Sequence, residues 1–168
     1  MEKFKNLNGF VRIQQIMLSI ALNPNRTRND LSLLYEVLPI VRSILKTHDL
    51  LMWLLDVEDF VYTILLCAFL RQPSITQKIF VYLTIISRSS RGNEQVLHAI
   101  DELMLFAQEK VRFQSILSLL STSQDIDTVT NILVFINVLI QQSESIAVRM
   151  AVSVLRDVHS RSIQICSH

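Results

Sequence analysis

The sequence predicts an all-α fold, an armadillo-like helical repeat (α-solenoid), and three observations carry that expectation. Apolar residues recur at helical spacing along most of the chain, and no segment competes strongly with a strand period. Breakers are few, with two Gly and three Pro in 168 residues, which favours helices joined by short connections. Corresponding apolar segments return at roughly 40 residues, the armadillo or HEAT period. The second half shows it best: residues 92–109 (GNEQVLHAIDELMLFAQE), then the segment opening at 110–114 (KVRFQ), then 127–142 (DTVTNILVFINVLIQQ). Each can bury one face, and none can fold alone. Stacking such units builds a continuous core and a binding surface.

The elements follow in order. Val11, Ile13, Ile16, Met17, Ile20 and Leu22 form an apolar stripe closed by Asn23 and Pro24. The polar run NPNRTRND reads as a loop, with Asn29 or Asp30 capping the next helix. That helix covers 31–46 with Pro39 inside it, and a kink or break is expected there because proline removes a hydrogen bond and crowds the preceding turn. Residues 48–55 form a short helix. The acids of 56–59 (DVED) favour a new N-terminus, and 60–71 is the helix they open. Ser74 and Gln77 have capping-box spacing for a helix running to Ile86. The run 79–86 (IFVYLTII) is β-branched and suits a buried strand on propensity, but its length of apolar context favours helix. Residues 87–91 are a loop, with Gly92 serving the tight backbone. Helices over 93–108, 112–120, 127–142 and 145–159 complete a set of eight to nine. One domain over 1–160 is expected, with 161–168 a frayed tail.

Half the residues are apolar, 18% are charged, and the formal net charge is +1. The basic residues are scattered, so no nucleic-acid partner is expected. Arg26 and Arg28, Arg88 and Arg91, Lys110 and Arg112 each suit a solvated face or local ion pair. Two cysteines cannot make a disulfide framework. Cys67, within ILLCAFL, reads as a buried apolar residue and Cys166 as part of the tail, which fits a reducing, cytoplasmic compartment. The N-terminal MEKFKNLNGF lacks a signal-peptide core. The most apolar run, 60–70, is about eleven residues against the ~20 that span a bilayer, so no membrane span is expected.

No catalytic, cofactor or metal constellation emerges. His98 lies three residues before Asp101, a spacing that suits a solvated hydrogen bond on a helix better than an acid–base pair. The carboxylates of 56–59 and 101–102 suit helix starts or exposed faces. Neither a nucleophile elbow nor a glycine-rich phosphate loop is present. Trp53, Phe60, Tyr62, Phe69, Phe80 and Tyr82 read as core aromatics. Asn137 interrupts ILVFINVLI, and spacing alone leaves it equally a bonded core amide or part of a binding face.

The runs RGNEQVLHAIDELMLFAQEKVRFQSILSLL and NILVFINVLIQQSESIAVRMAVSVL resemble the Diaphanous inhibitory domain of formins, the armadillo-repeat part of their GTPase-binding/formin homology 3 region. Gly92, Glu94, Val96 and Leu97 match its Gly-x-Glu-x-Val-Leu helix. Arg112 and Phe113 match its Arg-Phe pair, and Ile136, Asn137, Leu139 and Ile140 its Ile-Asn-x-Leu-Ile core. Arg149 and Leu155 follow in register. The resemblance runs from about Ile79 to Leu155 and is weaker over 7–71.

The resemblance implies a concave groove that captures an amphipathic helix, the autoregulatory segment of a formin, with actin engaged only indirectly. It also implies relief of that contact by a Rho-family GTPase, and a cytoskeleton-associated protein. By position, Tyr82, Ile85, Arg88, Val134 and Asn137 would line the groove, and Asn137 matches the family's polar groove residue. Arg88 stands where the family has an apolar residue, and Val134 replaces an amide. The family's GTPase-binding region, proline-rich tract and actin-assembling domain would lie outside these residues. The expectation is therefore a fragment, an incomplete product or a free-standing inhibitory module, with GTPase binding conditional on the preceding region. The alternative is a generic armadillo-type scaffold with an unrelated partner.

Overall fold

The computed structural model describes residues 8–142, and among these it is entirely helical outside turns and loops. Its helices are α1 (Gly9–Leu22), α2 (Arg28–Leu45), α3 (His48–Leu54), α4 (Phe60–Cys67), α5 (Pro73–Ser87), α6 (Ser90–Phe106), α7 (Gln114–Thr122) and α8 (Ile126–Gln142). The helix expected over 145–159 and both ends of the expected domain, with Cys166, lie outside the described residues.

Two rows of helices make the repeat. In one row α5 packs against both α2 and α8, and in the other α4 packs against both α1 and α6. Across the rows α5 also meets α4 and α6. Helices α2, α5 and α8 begin at residues 28, 73 and 126, so 45 and then 53 residues separate them. The expected period of roughly 40 is thus too short and too regular. The short helix comes before the second-row helix in one unit (α3 before α4) and after it in the next (α7 after α6), which shifts the register.

The row explains the run at 79–86. Helix α5 is walled on most sides, and Ile75, Ile79, Phe80, Leu83 and Ile86 are completely buried. A helix that is apolar almost all round belongs in the middle of a core. The Phe80 and Phe135 rings meet at 5.4 Å between centroids, tilted by 57°, a geometry worth about 1 kcal/mol beyond area burial. Phe60 is buried, while Trp53, Tyr62 and Phe69 pack against the core half-buried, so the aromatics are core as expected. Cys67 is buried too, and burial pushes its thiol up to about 12, so it stays protonated and inert.

Several helix ends differ from expectation. The cap of α2 is Thr27: its hydroxyl accepts the Asp30 backbone N–H at 3.2 Å, and Asp30 accepts the Thr27 N–H at 2.7 Å. Asp30 is therefore the reciprocal half of a capping box, and Asn29 has no part in it. Arg26 donates to the carbonyls of Ile20 and Ala21 at 2.9 and 3.2 Å, satisfying the end of α1. Helix α2 runs unbroken through Pro39. Proline is exposed there, and Val37, Leu38, Val41, Ile44 and Leu45 keep one buried stripe on both sides of it, so packing holds the helix where local chemistry opposes it.

Helix α4 stops at Cys67 instead of Arg71. Past Cys67 the turn tightens, the Ala68 and Phe69 N–H groups donating to the Leu65 and Leu66 carbonyls at 3.0 and 3.1 Å, as helix ends do. Thr76 Oγ1 donates to the Ala68 carbonyl at 2.8 Å, and left-handed Arg71, φ 58°, lies in the link to α5. Helix α5 starts at Pro73 with no side-chain cap, since proline at the first position already lacks the orphan N–H. Ser74 instead meets the Tyr35 hydroxyl, and Gln77 turns to Asp125, so the expected capping box does not form. Gly92 is not in a loop: it is buried in the first turn of α6, whose cap Ser89 accepts its N–H at 3.1 Å. His98 pairs with Glu102 at 3.8 Å, while Asp101 takes Arg112 at 2.5 Å.

Candidate functional site: a trough along α2, α5 and α8

The central helix α5 leaves one narrow stripe uncovered. Gln77 and Lys78 are half-buried, Val81 is 39% exposed, Ile85 is half-buried and Arg88 is exposed. These fall at i, i+3/i+4, i+7 and i+10/i+11, one face of a helix. On the α2 side, Tyr35, Pro39 and Arg42 repeat at the same spacing. Lys78 sits 4.9 Å over the Tyr35 ring. On the α8 side stand Asn131 and Val134, the latter 45% exposed.

Where the three meet is a cavity of about 300 Å³, lined by Pro39 and Arg42, by Gln77, Lys78, Val81 and Tyr82, and by Asn131. Its wall is braced by two polar contacts. Tyr82 donates its hydroxyl to the Leu38 carbonyl at 2.9 Å; burial raises the phenol above its ordinary range, opposed by the Arg42 guanidinium. Gln77 Nε2 donates to Asp125 at 2.7 Å, and Asp125 also accepts the Thr128 N–H at 2.8 Å at the start of α8. Those hydrogen bonds, from the Thr128 hydroxyl first and Gln77 next, hold the Asp125 carboxyl below its ordinary value.

The five residues taken from the family are distributed as follows. Tyr82 lines the cavity, with its hydroxyl spent on Leu38. Ile85 and Arg88 continue the α5 stripe, and Val134 and Asn137 are exposed on α8. Asn137 is exposed and not a core amide; the α8 residue that lines the cavity is Asn131, six residues earlier. Sequence reasoning missed Pro39, Arg42, Lys78, Val81 and Asn131. The signal for Lys78 and Val81 was their place at i−7 and i−4 from Ile85, on a face otherwise too apolar to be outside.

Among the described residues, two further cavities carry polar side chains. One of about 400 Å³ between α4 and α6 carries Glu58, Asp59, Glu94, His98 and Glu102. Burial, then Asp59, raises the Glu102 carboxyl above its ordinary value. The other, about 590 Å³, lies at the starts of α5 and α8. Among the described residues no group of His, Cys, Asp and Glu could hold a metal ion, and no helix is long and apolar enough to cross a membrane.

Fold and trough together define a helical-repeat protein with one uncovered stripe along its central helix. Residues 93–153 match the family model described as the Diaphanous FH3 Domain. That match runs from the first turn of α6 through α8. Among solved structures, the chain is similar to the "Crystal structure of E. histolytica Formin1 bound to EhRho1-GTPgammaS", with 17% sequence identity and a TM-score of 0.72. The similarity covers 96% of this chain and 58% of that one, so the chain spans little more than half the length of that formin chain. The match over 93–153 falls within the stretch on which the resemblance rested, and among the described residues the helical-repeat fold continues ahead of it to α1.

Proposed function

We propose that this chain is a non-catalytic regulatory module of formin type, whose trough captures an amphipathic helix, the autoregulatory segment of a formin. The observation that carries this reading is the uncovered stripe from Gln77 to Arg88 on a helix that is otherwise core. A stripe of that width, flanked by α2 and α8, suits a second helix laid along it with apolar anchors at i, i+3, i+4 and i+7. Val81, Ile85 and Val134 supply the apolar contacts, the buried Tyr82 ring backs them, and Arg88, Asn131 and Asn137 form the polar border.

Capture would act on actin assembly indirectly, by holding the actin-assembling part of a formin inactive. A Rho-type GTPase would relieve it. The fold shared with a formin described as bound to EhRho1-GTPgammaS supports that coupling, which requires two ligands that weaken each other's binding through this domain or its neighbour. A cytoplasmic, cytoskeleton-associated location follows from the same reading.

The test is a titration of the chain with a formin C-terminal autoregulatory peptide, wild type against Val81→Asp and Asn137→Asp. Placing a carboxylate at Val81 costs the apolar anchor and should weaken binding at least roughly tenfold. Undetectable binding of the wild type at ~100 μM, a standard free energy of only about −5.5 kcal/mol, sinks the reading. So does equal binding by both variants. A second reading, a scaffold for an unrelated protein, is favoured by Arg88 and Val134, where the groove chemistry departs from the family's. Recovery of unrelated partners with no formin among them would support it.

A further inference from the structure

The cavity in the trough carries charge of one sign. Arg42 and Lys78 line it and no carboxylate does. Arg88 caps the same α5 stripe at its far end. Among the described residues none of the three makes an ion pair; the ion-paired arginines are Arg91, with Asp56, and Arg112, with Asp101. Asp125, joined to the trough wall through Gln77, is already held by Gln77 and Thr128, and the exposed Asp127 stands outside the cavity, at the start of α8. The chain's clustered carboxylates gather instead in the cleft between α4 and α6. A nearly neutral chain is thus locally basic where its apolar stripe is uncovered.

We infer that the trough selects an acidic amphipathic helix, one whose apolar stripe is bordered by carboxylates about three turns apart that meet Arg42 and Lys78 at one end and Arg88 at the other. The inference rests on the trough's being a helix-binding site. Lys78 and Arg88 are ten residues apart on α5, or about 15 Å at the helical rise, and a helix lying along α5 repeats that spacing. Arginine gives a carboxylate a two-pronged donor. Lys78, held over the Tyr35 ring, gives a point charge whose position is already restricted, so less freedom is lost on pairing. A helix with basic residues at those positions meets like charge beside an apolar surface, which is how a binding face rejects a wrong partner.

The experiment uses the full 168-residue chain and three synthetic helical peptides of about five turns. They share one leucine stripe and differ only at two flanking positions, three turns apart, which hold Glu, Gln or Lys. Fluorescence anisotropy gives the affinities at low and at high salt. The Glu peptide should bind roughly tenfold tighter than the Gln peptide at low salt, the Lys peptide weakest, and the ratio should shrink as salt screens the pairs. The double variant Arg42→Glu/Arg88→Glu, changed only at exposed positions, should prefer the Lys peptide. Equal affinities for Glu and Gln peptides overturn the charge inference and leave helix capture standing. No binding by any of the three overturns both. A Glu preference that survives in the double variant, or does not respond to salt in the wild type, also overturns it.

Discussion

A Cβ built on Gly92 would stand 2.1 Å from the carbonyl oxygen of Ile86. The first turn of α6 lies directly against the end of α5, and only a residue without a side chain fits between them. Alanine in a helix is worth about 1 kcal/mol over glycine, but overpacking against fixed backbone costs up to about 3 kcal/mol. The clash wins. Gly92→Ala should lower stability by about 2 kcal/mol, read as a reduced midpoint in urea with an unchanged slope. A stabilised variant would show that the two helices separate easily.

This position shows what the sequence could and could not convey. Two glycines in a helical chain made Gly92 conspicuous, and turn chemistry was the local explanation; close approach of two helices is a tertiary fact that leaves no local mark. The helices themselves were legible because an apolar stripe at helical spacing is recorded in every turn. Their ends were less so. Thr27 and Asp30 carried capping-box spacing, yet Asn29 was as good a cap by residue type. Pro39 signalled a break that packing overrides. The trough was half legible: Ile85 and Arg88 lie on it, but Arg42 and Pro39 join it only because α2 packs beside α5. Asn131 looked like any polar residue early in a helix.

Asp125 ties the start of α8 to α5 through Gln77, and its carboxyl titrates below the ordinary value. The unfolded carboxyl titrates near pH 4. A group whose folded pKa is lowered contributes stability that is fully present above the unfolded value and is lost as pH falls through the folded one. Asp125→Ala should therefore lower the thermal midpoint at pH 7, and the gap to wild type should narrow as pH falls below about 4. A gap that is constant from pH 7 to pH 2 would mean that the charge plays no part in the cap.

Glu102 has the opposite sign. Its Oε2 is shielded from solvent without a hydrogen-bond donor, and burial together with Asp59 raises its carboxyl, with His98 partly opposing. The folded protein then binds its proton more tightly than the unfolded chain does. Stability falls as pH rises from the unfolded value, near 4.3, through the folded one, and the cost remains at neutral pH. Glu102→Gln keeps the shape and removes the charge. It should raise the thermal midpoint at pH 7 and leave it unchanged near pH 3, by calorimetry at the two pH values. A lower midpoint at pH 7 would show that His98 outweighs the burial.

Tyr82 has two faces, one toward the trough and one toward α2, and substitution separates them. Its hydroxyl is the donor to Leu38, so Tyr82→Phe removes one hydrogen bond between α2 and α5 and keeps the ring that lines the cavity. The Leu38 carbonyl retains its helical partner in α2, so no buried acceptor is orphaned, and the loss should stay near 1 kcal/mol. Affinity for an amphipathic helix should then change less than about twofold. Asn131→Asp does the reverse: at a half-buried position on the cavity wall it barely alters packing but sets a carboxylate beside Lys78 and Arg42. Binding of an acidic helix should weaken several-fold while the unfolding midpoint holds. If Tyr82→Phe instead abolishes binding at full stability, the hydroxyl belongs to the partner's site and its bond to Leu38 is broken in the complex.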